Sequence, residues 1–64
     1  SADAVNLPGG GRLRVGSKVR HERFGEGEVL AIEGTGGDTK AKVDFPNFGQ
    51  KQLLLKFAKL TILD

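Results

Sequence analysis

Val19-Arg20-His21-Glu22-Arg23-Phe24-Gly25-Glu26-Gly27-Glu28-Val29 reads as the end of one strand, a glycine-hinged turn and the start of a longer strand. Gly25 and Gly27 give the backbone freedom on either side of Glu26, because glycine reaches positive φ without steric cost. Phe24, just before the hinge, is large enough to plug the end of a small core, and its place in a turn also makes it a candidate contact residue. Arg20, His21 and Arg23 give the turn a basic flank.

Strand signals continue on both sides of this hinge. Val15-Gly16-Ser17 reads as a tight turn leading into a short strand, Lys18 to His21. Glu28 to Glu33 forms a second strand with apolar residues on both faces, so it is expected to be long, bent and partly buried on each side; the pattern leaves its register open. Gly34-Thr35-Gly36-Gly37-Asp38 is a turn cluster of hairpin length. Thr39 to Phe45 then alternates cleanly, with Ala41, Val43 and Phe45 on one face and Lys40, Lys42 and Asp44 on the other. Pro46-Asn47-Phe48-Gly49 makes the next turn. Gln50 to Leu55 and Leu60 to Leu63 supply the fourth and fifth strands, joined through one 3₁₀ turn at Lys56–Lys59. A helix across residues 51–60 is the rival reading, since Leu53, Leu54, Phe57 and Leu60 also fit helical spacing.

Five short strands with glycine-rich turns predict an all-β fold, a small curled barrel whose sheet closes or nearly closes to hide its edges. The predicted core is Val19, Phe24, Val29, Ile32, Ala41, Val43, Phe45, Leu53, Leu55, Phe57, Leu60 and Ile62. Residues 1–14, with Pro8-Gly9-Gly10-Gly11 inside them, read as a flexible linker or tail, and residues 15–64 as the folded domain. The sequence begins with serine and not methionine, which processing before a serine or excision from something longer would explain; the linker composition favours excision.

At 64 residues the chain is one small domain or a piece of one. A domain this size buries only about 60% of the surface its unfolded chain exposes, so most apolar residues are needed for structure and little room is left for a deep, dry pocket. The absence of cysteine removes disulfides, thiol catalysis and cysteine-ligated zinc, and favours a cytoplasmic setting. No apolar run approaches the roughly 20 residues that span a bilayer, and no membrane association is expected. The formal charge is +2; without Arg12, Arg14 and Asp3 of the tail, 8 basic and 7 acidic residues remain. So even a balance permits a local basic patch but argues against strong, phosphate-driven DNA binding.

The inventory for catalysis is thin. His21 is the one histidine, and nothing near it in sequence provides a hydroxyl and an orienting carboxylate. One histidine with scattered carboxylates is a poor zinc set, so no metal is expected. The Gly34–Lys40 segment lacks the G-x-x-x-x-G-K-[ST] spacing of a phosphate loop. Glu22, Glu26, Glu28 and Glu33 read as a solvated, salt-bridging surface. Arg20, Arg23, Lys51, Lys56 and Lys59 are candidates for a binding face. Phe24 and Phe48, both in turns, are candidate exposed aromatics. Without Trp or Tyr, no methyl-lysine cage is expected.

Three blocks resemble the C-terminal Tudor-like domain of UvrD/PcrA-type DNA helicases. The first runs from Val15 to Val29 and is similar to the family's V-G-x-x-V-x-H-x-x-F-G-x-G-x-V pattern. The second is Glu33-Gly34, the glycine-rich turn and the alternating strand ending at Phe45. The third, Gly49 to Leu60, resembles its G-x-K-x-L-hydrophobic-x-x-F-A-x-L ending. One departure is Arg14, where members often carry an aromatic before V-G.

The resemblance implies an SH3/Tudor-like barrel at the C-terminus of an ATP-dependent helicase that moves 3′ to 5′ on single-stranded DNA in repair and replication. ATP and magnesium would serve the parent's motor domains. This chain carries none of the motor motifs, so no cofactor and no enzymatic activity are expected of it. The resemblance further implies a monomeric docking module whose chief partner is RNA polymerase, with weak DNA contact as the alternative. Lys51, at the G-x-K position, is the implied partner contact. Arg20, His21, Arg23 and Phe24 are added from the hinge, which is expected to project them together.

Overall fold

A computed structural model describes residues 3–64. Seven strands follow in chain order: β1 (Ala4–Asn6), β2 (Arg12–Arg14), β3 (Lys18–His21), β4 (Gly25–Glu33), β5 (Lys40–Phe45), β6 (Gly49–Leu54) and β7 (Leu60–Ile62). The alternating pattern of β5 is realised fully, with Ala41, Val43 and Phe45 inaccessible to solvent and the three polar residues between them exposed. β3 to β7 form one antiparallel sheet in the order β6-β5-β4-β3-β7, so the expected all-β fold forms with its five strands.

The sheet is not closed. Its two edges, β6 and β7, do not pair with each other. The connection between them lies instead against residues that the sequence reading assigned to a flexible tail. β1 and β2 form an antiparallel hairpin with Val5 opposite Leu13, and Leu13 is completely buried among the core residues. Val5 and Leu7 pack against that core from the same hairpin. Over the described residues, the stretch read as a flexible linker or tail thus forms a β-hairpin packed on the core; Ser1 and Ala2 lie outside them. The glycines that suggested flexibility serve its tight turn, where Gly10 and Gly11 have φ of 106° and 88° and the Gly10 N–H donates to the Leu7 carbonyl.

Two features of β4 explain what its sequence left open. Val29 lies opposite Val43 and Ala31 opposite Lys42, so Leu30 is an extra residue, a β-bulge. The bulge shifts the two-residue alternation by one, which buries both Val29 and Ile32 although they are three positions apart. Gly27 is not a hinge. It sits within β4 outside the positive-φ set, and a Cβ there would lie 2.7 Å from the Asp44 carbonyl oxygen and 2.7 Å from the Phe45 ring. Of the two, it is Gly25, at φ 77°, that needs the left-handed region.

The rival helix does not form. β6 ends at Leu54, whose carbonyl accepts the N–H groups of Phe57 and Ala58, both at 3.0 Å, in a simple turn before β7. The one 3₁₀ element among the described residues is Gly36–Asp38 rather than residues 56–59. Of the predicted core, Val19, Val29, Ile32, Ala41, Val43, Phe45 and Leu55 are buried, while Phe24, Leu53, Leu60 and Ile62 are partly buried against them. Phe57 is the exception at 75% exposed, because the turn after β6 carries it away from the sheet.

Candidate functional site

β3 places its residues alternately on the two faces of the sheet. Val19 is buried, Arg20 is exposed, and His21 is half-buried at the strand end. The chain then reverses through Glu22-Arg23-Phe24, and the His21 Nδ1 holds that reversal by accepting the backbone N–H of Arg23 at 3.0 Å and of Phe24 at 3.4 Å. An accepting Nδ1 leaves the imidazole proton on Nε2. The reversal also lays the Phe24 ring on the imidazole, with centroids 4.7 Å apart and planes at 22°.

This stacked pair is the middle of a larger cluster. Phe45 approaches from the core, 5.2 Å from Phe24 and 6.1 Å from His21. Phe48, in the β5–β6 turn, stands 5.4 Å from Phe24 and keeps about half its surface in solvent. Lys51 lies opposite Val43 in the β5–β6 ladder, and its Nζ sits 5.4 Å from the Phe24 ring centroid. The ammonium is thus held by the negative face of an aromatic ring, and among the described residues no carboxylate pairs with it. The result is a small surface patch of two phenylalanine rings, an imidazole and one cation without an acidic partner among the described residues, beside an open sheet edge.

Three of the five predicted site residues, His21, Phe24 and Lys51, meet here. Arg23 stands exposed at the turn and touches the cluster through its backbone N–H. Arg20 does not join them. It points to the opposite face of the sheet, where its guanidinium donates to Glu26 at 3.3 Å beside a parallel Lys18–Glu28 pair at 2.9 Å. The strand alternation that separates Arg20 from His21 was already in the sequence. Phe48, which that reading gave as a candidate contact, completes the patch; no spacing rule announces it, because the turn at Pro46-Asn47 sets its direction.

The Ser17 hydroxyl accepts the Arg14 N–H at 3.0 Å inside a turn, and the lone imidazole is committed through Nδ1. Among the described residues, no group of three or more His, Cys, Asp or Glu side chains is placed to hold a metal ion, and no helix is long and apolar enough to cross a membrane.

Comparison with known proteins adds a family. The family model described as the PcrA/UvrD tudor domain matches residues 15–61. The ATP-dependent DNA helicase PcrA of Leuconostoc citreum is 43% identical over 49 residues, which cover 77% of this chain and 6% of that protein. DNA helicase II of Salmonella typhimurium is 40% identical and that of Escherichia coli 38% identical, each over 47 residues, 73% of this chain and 6% of the relative. The chain therefore spans a small fraction of the length of these relatives.

Proposed function

The chain belongs to the PcrA/UvrD tudor domain family, and on that premise we propose that it is the protein-docking module of a UvrD/PcrA-type DNA helicase, with RNA polymerase as its partner. The observation that carries the reading is the surface of Phe24, Phe48, His21 and Lys51, which combines exposed aromatic area with one cation that has no acidic partner among the described residues. Aromatic anchors around a buried charge contact are the usual energetic centre of a protein interface. A partner that sets a carboxylate beside an apolar side chain would satisfy Lys51 and cover Phe48 together.

The parent's ATP-dependent 3′ to 5′ unwinding in repair and replication would belong to segments outside this chain, which has no G-x-x-x-x-G-K-[ST] loop to cradle a nucleotide. A cytoplasmic, monomeric setting goes with this role. An accessory DNA-binding role is the second reading, favoured by cations such as Lys51, Lys56 and Lys59 that have no acidic partner among the described residues.

The test is a titration of isotopically labelled chain with RNA polymerase core, run beside single-stranded and duplex DNA at two salt concentrations. Docking predicts that polymerase perturbs His21, Phe24, Phe48 and Lys51 and that the effect survives higher salt. Perturbation of those residues by DNA alone, vanishing with salt as counterion release demands, would replace docking with DNA gripping.

A further inference from the structure

Phe57 is the most exposed large apolar residue of the described chain, 75% open to solvent against 51% for Phe48. It is not on a loose end. The Leu54 carbonyl accepts both its N–H and that of Ala58, so the ring projects from a closed turn. It lines a cleft of about 420 Å³ between the β1–β2 hairpin tip and the β6–β7 connection. Leu7, Pro8, Leu55 and Leu60 give that cleft apolar walls, and its two charged residues are Lys56 and Lys59. No carboxylate lines it, and neither lysine takes part in an ion pair among the described residues. The Lys56 Nζ lies 5.2 Å from the Phe57 ring centroid and covers one face of the ring.

We propose that this cleft is a contact site for single-stranded nucleic acid, with a base stacked on the open face of Phe57 and the adjoining phosphates met by Lys56 and Lys59. An exposed ring beside cations that have no acidic partner is the chemistry by which proteins hold single strands without reading sequence. A duplex offers the same phosphates but keeps its base faces stacked internally, so the ring discriminates against it. The surrounding charge is only weakly basic, which makes this a holding contact and not an independent high-affinity site. The proposal does not depend on polymerase docking. Lys51 lies in the first half of β6, whereas Phe57 lies beyond the far end of that strand.

The experiment titrates a short fluorescein-labelled oligothymidylate with the 64-residue chain at low and at physiological salt, following anisotropy, with a duplex of equal length beside it. The single strand should bind and the duplex bind more weakly. Phe57→Ala should weaken single-strand binding roughly 5- to 150-fold, the factor that goes with one base–aromatic stack. Phe57→Trp should keep the affinity, and its indole, the only one in the chain, should be quenched on binding. Each of Lys56→Gln and Lys59→Gln should reduce the slope of log K against log salt by about 0.7. Because these side chains lie outside the buried core, amide spectra should show every variant folded. Absence of oligothymidylate binding, equal binding of the duplex, or unchanged binding by Phe57→Ala would overturn the proposal. So would amide shifts at Phe57 that appear with an acidic peptide and not with the oligonucleotide.

Discussion

Gly27 and Lys51 show how much one position decides at opposite ends of the energy scale. A methyl group at Gly27 would press on the Asp44 carbonyl oxygen, the Phe45 ring and Val43, all within 2.9 Å of an ideal Cβ. Two of the three belong to the neighbouring strand's core face and one to its backbone, so relief requires parting β4 from β5. Gly27→Ala should therefore destabilise by roughly 1–3 kcal/mol, whereas Gly9→Ala, where the same methyl meets nothing within 4 Å and φ is not positive, should be near neutral. Urea denaturation of the two variants checks this, and equal midpoints would remove the close-approach account. Lys51 is half-buried, with its Nζ over a ring face and no acidic partner among the described residues, so Lys51→Glu should leave the denaturation midpoint nearly unchanged while cutting polymerase binding tenfold or more. Normal binding by the folded variant would remove Lys51 from the site. Lys51 is drawn from the resemblance, at its G-x-K position, and His21 and Phe24 from the hinge; that residues from two separate blocks meet is a property of the fold, set by the pairing of β6 with β5 and the reversal after β3. The exclusion of Arg20 needed strand alternation as well, and the inclusion of Phe48 needed the path of a turn.

Elements, unlike single residues, were legible where one periodicity ran undisturbed. β5 has a period of two with no exception, and its burial follows the sequence residue by residue. β4 defeats that reading because the bulge at Leu30 resets its phase, and a bulge leaves no mark in composition. The consequence is measurable. Ile32→Ala, at 1% exposure, should cost about 2–5 kcal/mol, while Leu30→Ala, at 39% exposure, should cost much less. Similar losses at both would mean that the strand runs without a bulge. The β1–β2 hairpin was illegible for another reason. Each strand has three residues, too few for a period to emerge, and the glycines of its turn have the composition of a linker. Yet Leu13 is fully buried. Leu13→Ala should cost about 2–5 kcal/mol, and removal of residues 1–13 should lower the melting temperature although the family match begins only at residue 15. A truncated chain of undiminished stability would show that the hairpin only rests on the core.

At the scale of the whole molecule, β6 joins two surfaces of different chemistry. Before it and on its first half lie Phe48 and Lys51, packed around Phe24; after it lies Phe57, flanked by Lys56 and Lys59 above the hairpin cleft. Lys51 is three residues from the strand end at Leu54, which at about 3.4 Å per residue puts roughly 10 Å of strand between the surfaces. Sites that far apart, sharing no side chain, ordinarily act additively within about 0.5 kcal/mol. A helicase module with two such surfaces could hold a protein partner at one end and a single strand at the other. That arrangement predicts a clean separation. Lys51→Glu should weaken polymerase binding and leave oligothymidylate binding within twofold of the parent chain, and Phe57→Ala should do the reverse. The double variant should lose both by the product of the single factors. If Lys51→Glu also abolishes oligonucleotide binding, the two surfaces are one electrostatic site, and the strand is held by diffuse charge rather than by a stacked base. If polymerase competes with oligothymidylate although the single variants separate, the partner's footprint reaches over the end of β6 and covers the cleft. Simultaneous binding of both ligands to the parent chain, seen as two independent sets of amide shifts, is the outcome the geometry predicts.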